Sequence, residues 1–312
     1  MSENPLWVER YRPQTVSEAI LPAALKKTFQ QIVDDGVMPN MILSGGSGTG
    51  KTTVPKAICN ELGFPMLFIN GSMDRNIDTL RTDIQQFASA KGRGGKRKVV
   101  VIDEADYLNP TSTQPALRNF IEEHSKNCAF VLTCNYRNRI LGALQSRCTV
   151  IDFVIPKEEK PQMMMELYER LVHILKTEGV GFEKPAVIEL VKKFFPDMRR
   201  TIMEAQRLGS EGDINMDVVT NIGNVSIQEL VKLMKDKDFT AVRRWVGENS
   251  DLETPAVLRS FYDEAAALFT PASIPQLVLF LADYQYKDGF VADHEINLAA
   301  CMAEIMVHCQ FK

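Results

Sequence analysis

The chain has 312 residues, with 36 Lys and Arg set against 40 Asp and Glu for a net charge of −4. That balance excludes a basic-tail DNA binder, so any nucleic-acid surface must be local. At 45% hydrophobic and 24% charged residues, the composition excludes a disordered chain, and the length predicts two or three modest domains. The longest apolar runs, Val99 to Ile102 and Leu277 to Ala282, are far too short to span a membrane. The N-terminus shows no apolar core of a secretory signal. Six cysteines lie scattered, none in a C-x-x-C pair and none with histidine at zinc-ligand spacing, which predicts reduced thiols and no zinc site.

In chain order, four continuous apolar runs come first: residues 41–43, 66–69, 99–102 and 129–132, with a fifth around 150–155. Such runs suit parallel strands buried on both faces. With helical stretches between them, residues 1–156 read as a wound α/β domain. Beyond Pro156 only helices are predicted. Pro161 opens one with Met164, Leu167, Leu171 and Ile174 inward; Pro185 opens a second with Val187, Leu190, Val191 and Phe194 inward; Asp197 caps a third. These form a small helical domain over 157–224. Residues 225–312 hold further amphipathic stretches, among them 256–269, 274–284 and 295–308.

Between the first strand and the first following helix stands Gly45-Gly46-Ser47-Gly48-Thr49-Gly50-Lys51-Thr52, which matches G-x-x-x-x-G-K-S/T without a gap. Glycines let the backbone fold around phosphates with its N–H groups inward, and the helix N-terminus adds partial positive charge. Gly48, Thr49, Gly50 and Thr53 belong to that cradle, Lys51 reaches the β- and γ-phosphates, and the Thr52 hydroxyl ligates Mg²⁺. Pro55, early in the helix, predicts a modest local distortion.

The third strand ends in Asp103-Glu104. Asp103 suits a magnesium ligand, and Glu104 a general base that polarises the attacking water. Asn135, ending the fourth strand, suits contact with the γ-phosphate or that water. Arg147, in Ser146-Arg147-Cys148, lies past the strands needed to reach its own nucleotide; it suits either a surface ion pair or a neighbour's γ-phosphate. Arg199, after the cap residue Asp197, suits closing over the γ-phosphate from the small helical domain. Arg75 and Arg81 flank the start of the helix after the second strand. Ser112 and Thr113 precede Arg118 and can offer hydroxyl and N–H groups to a phosphate backbone. The glycine-rich basic loop 92–98 reads as either a solvated face or a DNA contact.

Together these residues resemble the AAA+ clamp-loader ATPase subunits. Trp7-Val8-Glu9-Arg10-Tyr11-Arg12-Pro13 is similar to the W-V-E-K-Y-R-P opening of replication factor C small subunits, and the phosphate loop, Asp103-Glu104, Asn135, Ser146-Arg147-Cys148 and Met198-Arg199-Arg200 follow in the family's order. Ile20-Leu21-Pro22, Ile69 to Ser72 and Phe195 to Ile202 resemble the bacteriophage T4-type branch. Where the family reads A-L-R-R-x-M-E, this chain has Ala116-Leu117-Arg118-Asn119-Phe120-Ile121-Glu122, keeping the first arginine only.

The resemblance implies an AAA+ P-loop domain with a parallel sheet, a small helical lid and a C-terminal helical collar. It implies ATP and Mg²⁺ as cofactors, with Val8, Glu9, Arg10, Tyr11 and Ile20 lining the adenine pocket. Arg147 would act in trans as an arginine finger, and Arg199 in cis. Arg75, Arg81, Ser112 and Thr113 would track primer-template DNA, and Gln114 and Arg118 would couple that contact to a nucleotide site. Leu80, Ile84 and Phe87 read as core or as a sliding-clamp contact. The implied partners are a sliding clamp, primer-template DNA and other loader subunits in a five-membered ring of several copies of this chain and a small subunit, working in the cytoplasm with no membrane. Two alternatives stand beside this: a helicase-type AAA+ motor, which needs a winged-helix tail, and a non-hydrolysing ATP-gated scaffold.

Overall fold

A computed structural model describes residues 5–73, 77–89, 97–221, 227–249 and 254–312. The chain divides into two compact units, Met1–Met216 and Asp217–Lys312.

The first unit is built on a parallel five-stranded sheet of β1 (Met41–Ser44), β2 (Met66–Asn70), β3 (Lys98–Asp103), β4 (Cys128–Cys134) and β5 (Thr149–Asp152), in the order β2-β3-β4-β1-β5. The central runs form β1, β3 and β4, buried on both faces under helices, whereas the edge strands β2 and β5 stay partly exposed. Side chains alternate along each strand. Val100, Ile102, Phe130 and Leu132 face one layer with Ile84, Leu117 and Phe120. Val99, Val101, Ala129 and Val131 face the other, with Phe29, Val54 and Ile58. After a short N-terminal α1 (Trp7–Arg10), the helices of these layers are α2 (Ala23–Asp35), α3 (Thr53–Leu62), α4 (Ile77–Ser89), α5 (Thr113–Glu123) and the short α6 (Gly142–Gln145). Ile84 is fully buried and Phe87, half-buried, packs against the same core, while the side chain of Leu80 lies outside the described residues.

Helix α3 runs unbroken through Pro55, its third residue. N–H groups of the first turn have no helical partner, so the proline removes no bond there.

The first unit continues with α7 (Lys160–Glu178), α8 (Lys184–Phe194) and α9 (Met198–Glu211). Pro161 and Pro185 stand in the first turns of α7 and α8. The Asp197 carboxylate caps α9, accepting from the Arg200 N–H at 2.9 Å. The buried stripe of α7 is Met163, Leu167, Leu171, Ile174 and Leu175, so the inward methionine is Met163 rather than Met164. At 100° per residue, positions 163 and 164 flank the 167–171–174 stripe about equally, so packing rather than spacing selects Met163.

In the second unit, α10 (Met216–Asn221), which starts at the last residue of the first unit, is followed by α11 (Ile227–Lys235), α12 (Phe239–Glu248), α13 (Thr254–Asp263), α14 (Ala265–Leu268), α15 (Ile274–Asp288) and α16 (His294–His308). Their apolar faces enclose Trp245, Phe261, Phe269, Leu277 and Met302. The stretch 256–269 forms two helices rather than one, broken at Glu264. The only sheet-like pairing among the described residues here is the single bridge Phe269–Phe311, not the hairpin a winged helix requires. All six cysteines are free thiols. Among the described residues, no helix is long and apolar enough to cross a membrane, and no cluster of metal-binding side chains stands apart.

Candidate functional site

A cleft opens at the C-terminal ends of β1, β3 and β4, the edge where parallel α/β sheets present their ligand sites. The loop from β1 to α3 forms its floor. Gly48 and Gly50 hold φ of +66° and +98°, a region that favours glycine. The Lys51 side chain curls back into the loop, and Nζ donates to Gly45 O at 2.8 Å, Gly46 O at 2.6 Å and Asn135 Oδ1 at 2.9 Å. Burial pushes the Lys51 ammonium below its ordinary pKa, and the Asp103 carboxylate pulls the other way. A cation held over a glycine loop by backbone carbonyls has partners that a phosphate oxygen can replace.

The strand ends supply the acidic side. Asp103 Oδ1 accepts from the Thr52 hydroxyl at 2.7 Å and from the Thr133 hydroxyl at 2.5 Å. Thr133 Oγ1 in turn accepts from the Glu104 N–H at 3.1 Å. Glu104 adopts φ of +54°, a left-handed conformation uncommon for a residue with a side chain. Asp106, buried, accepts from the N–H groups of Asn135 and Tyr136 at 3.2 and 3.1 Å, which joins the loop after β3 to the loop after β4. Thr52 and Asp103 thus present two hard oxygen ligands side by side, and this donor set fits Mg²⁺.

The far wall is mainly apolar: Val8, Ile20, Leu21, Leu167, Met198 and Ile202, with Tyr11 beside them. That lining suits the flat face of a base. Helix α9 closes the rim, where the Met198 N–H donates to Gly48 O at 3.2 Å. Arg199 stands at this rim.

Several expected residues lie elsewhere. Glu9 and Arg10 do not line the cleft. Glu9 pairs with Arg12, and Arg10 Nη1 pairs with Glu178 Oε1 at 2.8 Å. Positions three apart share a helical face, so Val8 and Tyr11 turn inward together and leave Glu9 and Arg10 outside. Sequence reasoning missed Arg12, Leu21, Thr133, Leu167, Arg170 and Ile202. Three carried a readable signal: Leu167 and Arg170 share a face of α7, and Ile202 stands one turn beyond Arg199.

Arg147 is absent from the cleft lining; its guanidinium pairs with Glu122. Arg81 and Arg118 are exposed, and Ser112 is half-buried. Thr113 corrects its expected role: the residue is 1% exposed, and its N–H and that of Ser112 both donate to Asn109. Neither N–H is left for a phosphate. Gln114 is buried as well. Its Nε2 donates to Leu108 O and Arg139 O at 3.2 and 2.9 Å, and its Oε1 accepts from the Leu141 N–H at 2.8 Å. Arg75 and residues 92–96 of the basic loop lie outside the described residues. The two following residues turn inward, Arg97 donating to Ser125 O at 3.0 Å and Lys98 to Phe87 O.

Known proteins are similar to this chain. Residues 41–155 match the ATPase family associated with various cellular activities, and residues 159–220 match the lid domain of the sliding-clamp-loader large subunit. The sliding-clamp-loader large subunit of Enterobacteria phage T4 is 36% identical over 97% of this chain and 96% of its own length. Its counterpart in Escherichia phage RB69 is 40% identical over 78% of this chain and 77% of its own length. Human replication factor C subunit 5 is 31% identical over 97% and 92%. Among solved structures, a Thermotoga maritima RuvB variant superposes with a TM-score of 0.58 at 19% identity, covering 84% of this chain and 93% of that one; it shares the fold alone.

Proposed function

The chain belongs to the sliding-clamp-loader AAA+ ATPases, and from that premise we propose that it binds ATP in the cleft and hydrolyses it only when a neighbouring subunit lends Arg147. The observation that carries this reading is a division of labour. Lys51, Thr52, Asp103, Glu104 and Asn135 converge at one set of strand ends, while Arg147 is held outside that cavity.

The Gly48–Thr53 backbone and Lys51 bind the phosphates. Val8, Tyr11 and Ile20 hold the base, with Glu9 and Arg10 supporting that segment from outside. Thr52 and Asp103 would hold Mg²⁺, which would supply charge neutralisation to the phosphates. Glu104 takes the proton of the attacking water, Asn135 orients that water, and Arg199 reaches the γ-phosphate from the lid. A finger supplied in trans is worth roughly 10³–10⁵ in rate, so turnover depends on assembly.

The wider reading follows the family. Residues 1–156 serve as the nucleotide domain, 157–224 as the lid and 225–312 as the collar of a five-subunit ring in the host-cell cytoplasm. ATP closes the ring and opens a sliding clamp; primer-template DNA, tracked by Arg75, Arg81 and the Ser112 hydroxyl, triggers hydrolysis and clamp release. Gln114 and Arg118 link that contact to the nucleotide site. Phosphate release is measured with and without clamp and primed DNA, on purified chain and on the assembled ring. Stimulation confined to the ring, and lost in Arg147→Ala with ATP binding intact, supports the reading. A monomer that turns over at the ring's rate overturns it.

A further inference from the structure

Glu122 ends the Ala116–Glu122 run on α5 and stands outside the nucleotide cleft. Its Oε1 accepts from Arg147 Nε at 2.6 Å and lies 2.5 Å from Nη2. The remaining nitrogen, Nη1, donates to Ala143 O at 2.8 Å and to Ser146 Oγ at 3.3 Å. All three guanidinium nitrogens are therefore engaged by their own chain. The side chains of Arg147 and Glu122 are 33% and 55% exposed, so a neighbouring molecule can still reach the pair.

A long side chain beyond a four-residue helix has many rotamers open to it. A finger acts only from one arrangement, because phosphoryl transfer rewards placement rather than mere presence of charge. As a surface ion pair, the contact adds little to stability. Its physical effect is on orientation. One carboxylate oxygen shared by Nε and Nη2 fixes the plane of the fork, and the Ala143 carbonyl fixes its other end.

We propose that Glu122 is the positioning residue of the arginine finger. It sets the direction of the Arg147 guanidinium, and because it is the last turn of α5, it makes that direction follow the helix. The opposite end of α5 carries Thr113 and Gln114, next to Ser112. A tilt of this helix therefore reaches the finger through a single ion pair. The proposal rests on Arg147 acting in trans.

The test uses the assembled ring with clamp, primed DNA and ATP. Glu122→Gln and Glu122→Ala are expected to lower DNA-stimulated kcat about tenfold, the scale of a lost charge-assisted hydrogen bond, with KM for ATP unchanged. Glu122→Asp, which keeps the charge, is expected to recover part of the loss. Melting temperature and nucleotide affinity confirm that each variant folds. If Arg147→Ala is inactive while Glu122→Gln and Glu122→Ala stay within twofold of the parent, the proposal fails and the trans reading stands. If Arg147→Ala turns over normally, both fail. A raised KM with kcat unchanged also overturns the proposal, since it places Glu122 in binding rather than in orientation.

Discussion

The Asp197 carboxylate occupies the space into which a side chain on Gly48 would project. A Cβ built on Gly48 would stand 1.8 Å from Asp197 Oδ1 and 2.9 Å from Asp197 Cα. The phosphate loop and the N-terminus of α9 are therefore in direct contact, and the residue that caps the helix also limits the loop.

Gly48→Ala follows from this contact. The position has φ of +66°, so alanine meets backbone strain as well as the Asp197 clash. Strain of roughly 1 kcal/mol is expected from the conformation alone. The carboxylate and α9 must move back to make room. ATP affinity is expected to fall at least tenfold, read by titration with a fluorescent nucleotide. Unchanged affinity would show that loop and α9 are not held this closely.

Glu104→Gln separates binding from chemistry. The amide keeps the shape and the Glu104 N–H bond to Thr133 but cannot take a proton. ATP affinity is expected to stay within about threefold while kcat falls roughly 10²–10⁴-fold, the usual range for a general base. A variant that still hydrolyses ATP at the parent rate would remove Glu104 from the reaction.

Gln114→Ala tests a buried amide with three hydrogen bonds. Two carbonyls and one N–H lose their partner inside the fold. A loss of about 2–4 kcal/mol in unfolding free energy is expected, measured in urea. A drop below about 0.5 kcal/mol would mean that water replaces the amide. DNA-stimulated turnover of the surviving folded fraction reports any coupling role separately.

Alkaline stability follows from two buried thiols. Burial pushes Cys59 and Cys301 up to about 12 from an ordinary thiol value of 9.0. The folded-state value is the higher one, so between about 9 and 12 the unfolded chain binds fewer protons. Their stabilising contribution is complete below about 9 and is lost as pH rises toward 12. Each thiol adds a slope of up to about 1.4 kcal/mol per pH unit in that window. Urea unfolding at pH 8 and pH 10 is expected to show the decline, and Cys59→Ala to flatten part of it once its own stability loss is subtracted. A slope unchanged by that substitution would contradict the assignment.

What could be read before folding was whatever is local. The phosphate loop is eight contiguous residues whose chemistry needs that order, and Asp103-Glu104 and Asn135 each end an apolar run. Strand runs, helix-opening prolines and the Asp197 cap depend on near neighbours, so spacing exposes them. Residues that act through partners distant in the chain were hidden. Arg147 meets Glu122 across 25 positions, Arg10 meets Glu178 across 168, and Gln114 spends its amide on Leu108, Arg139 and Leu141. Thr113 is a polar residue at a helix start, which suggested a surface role until packing enclosed it. A side chain's direction depends on which helix or strand lies over it, and that is determined only when the sheet orders itself β2-β3-β4-β1-β5 and brings separate segments together. The local chemistry of this chain was thus written in its residue order, whereas the facing of Glu9, Arg10, Thr113 and Arg147 was decided by contacts that exist only in three dimensions.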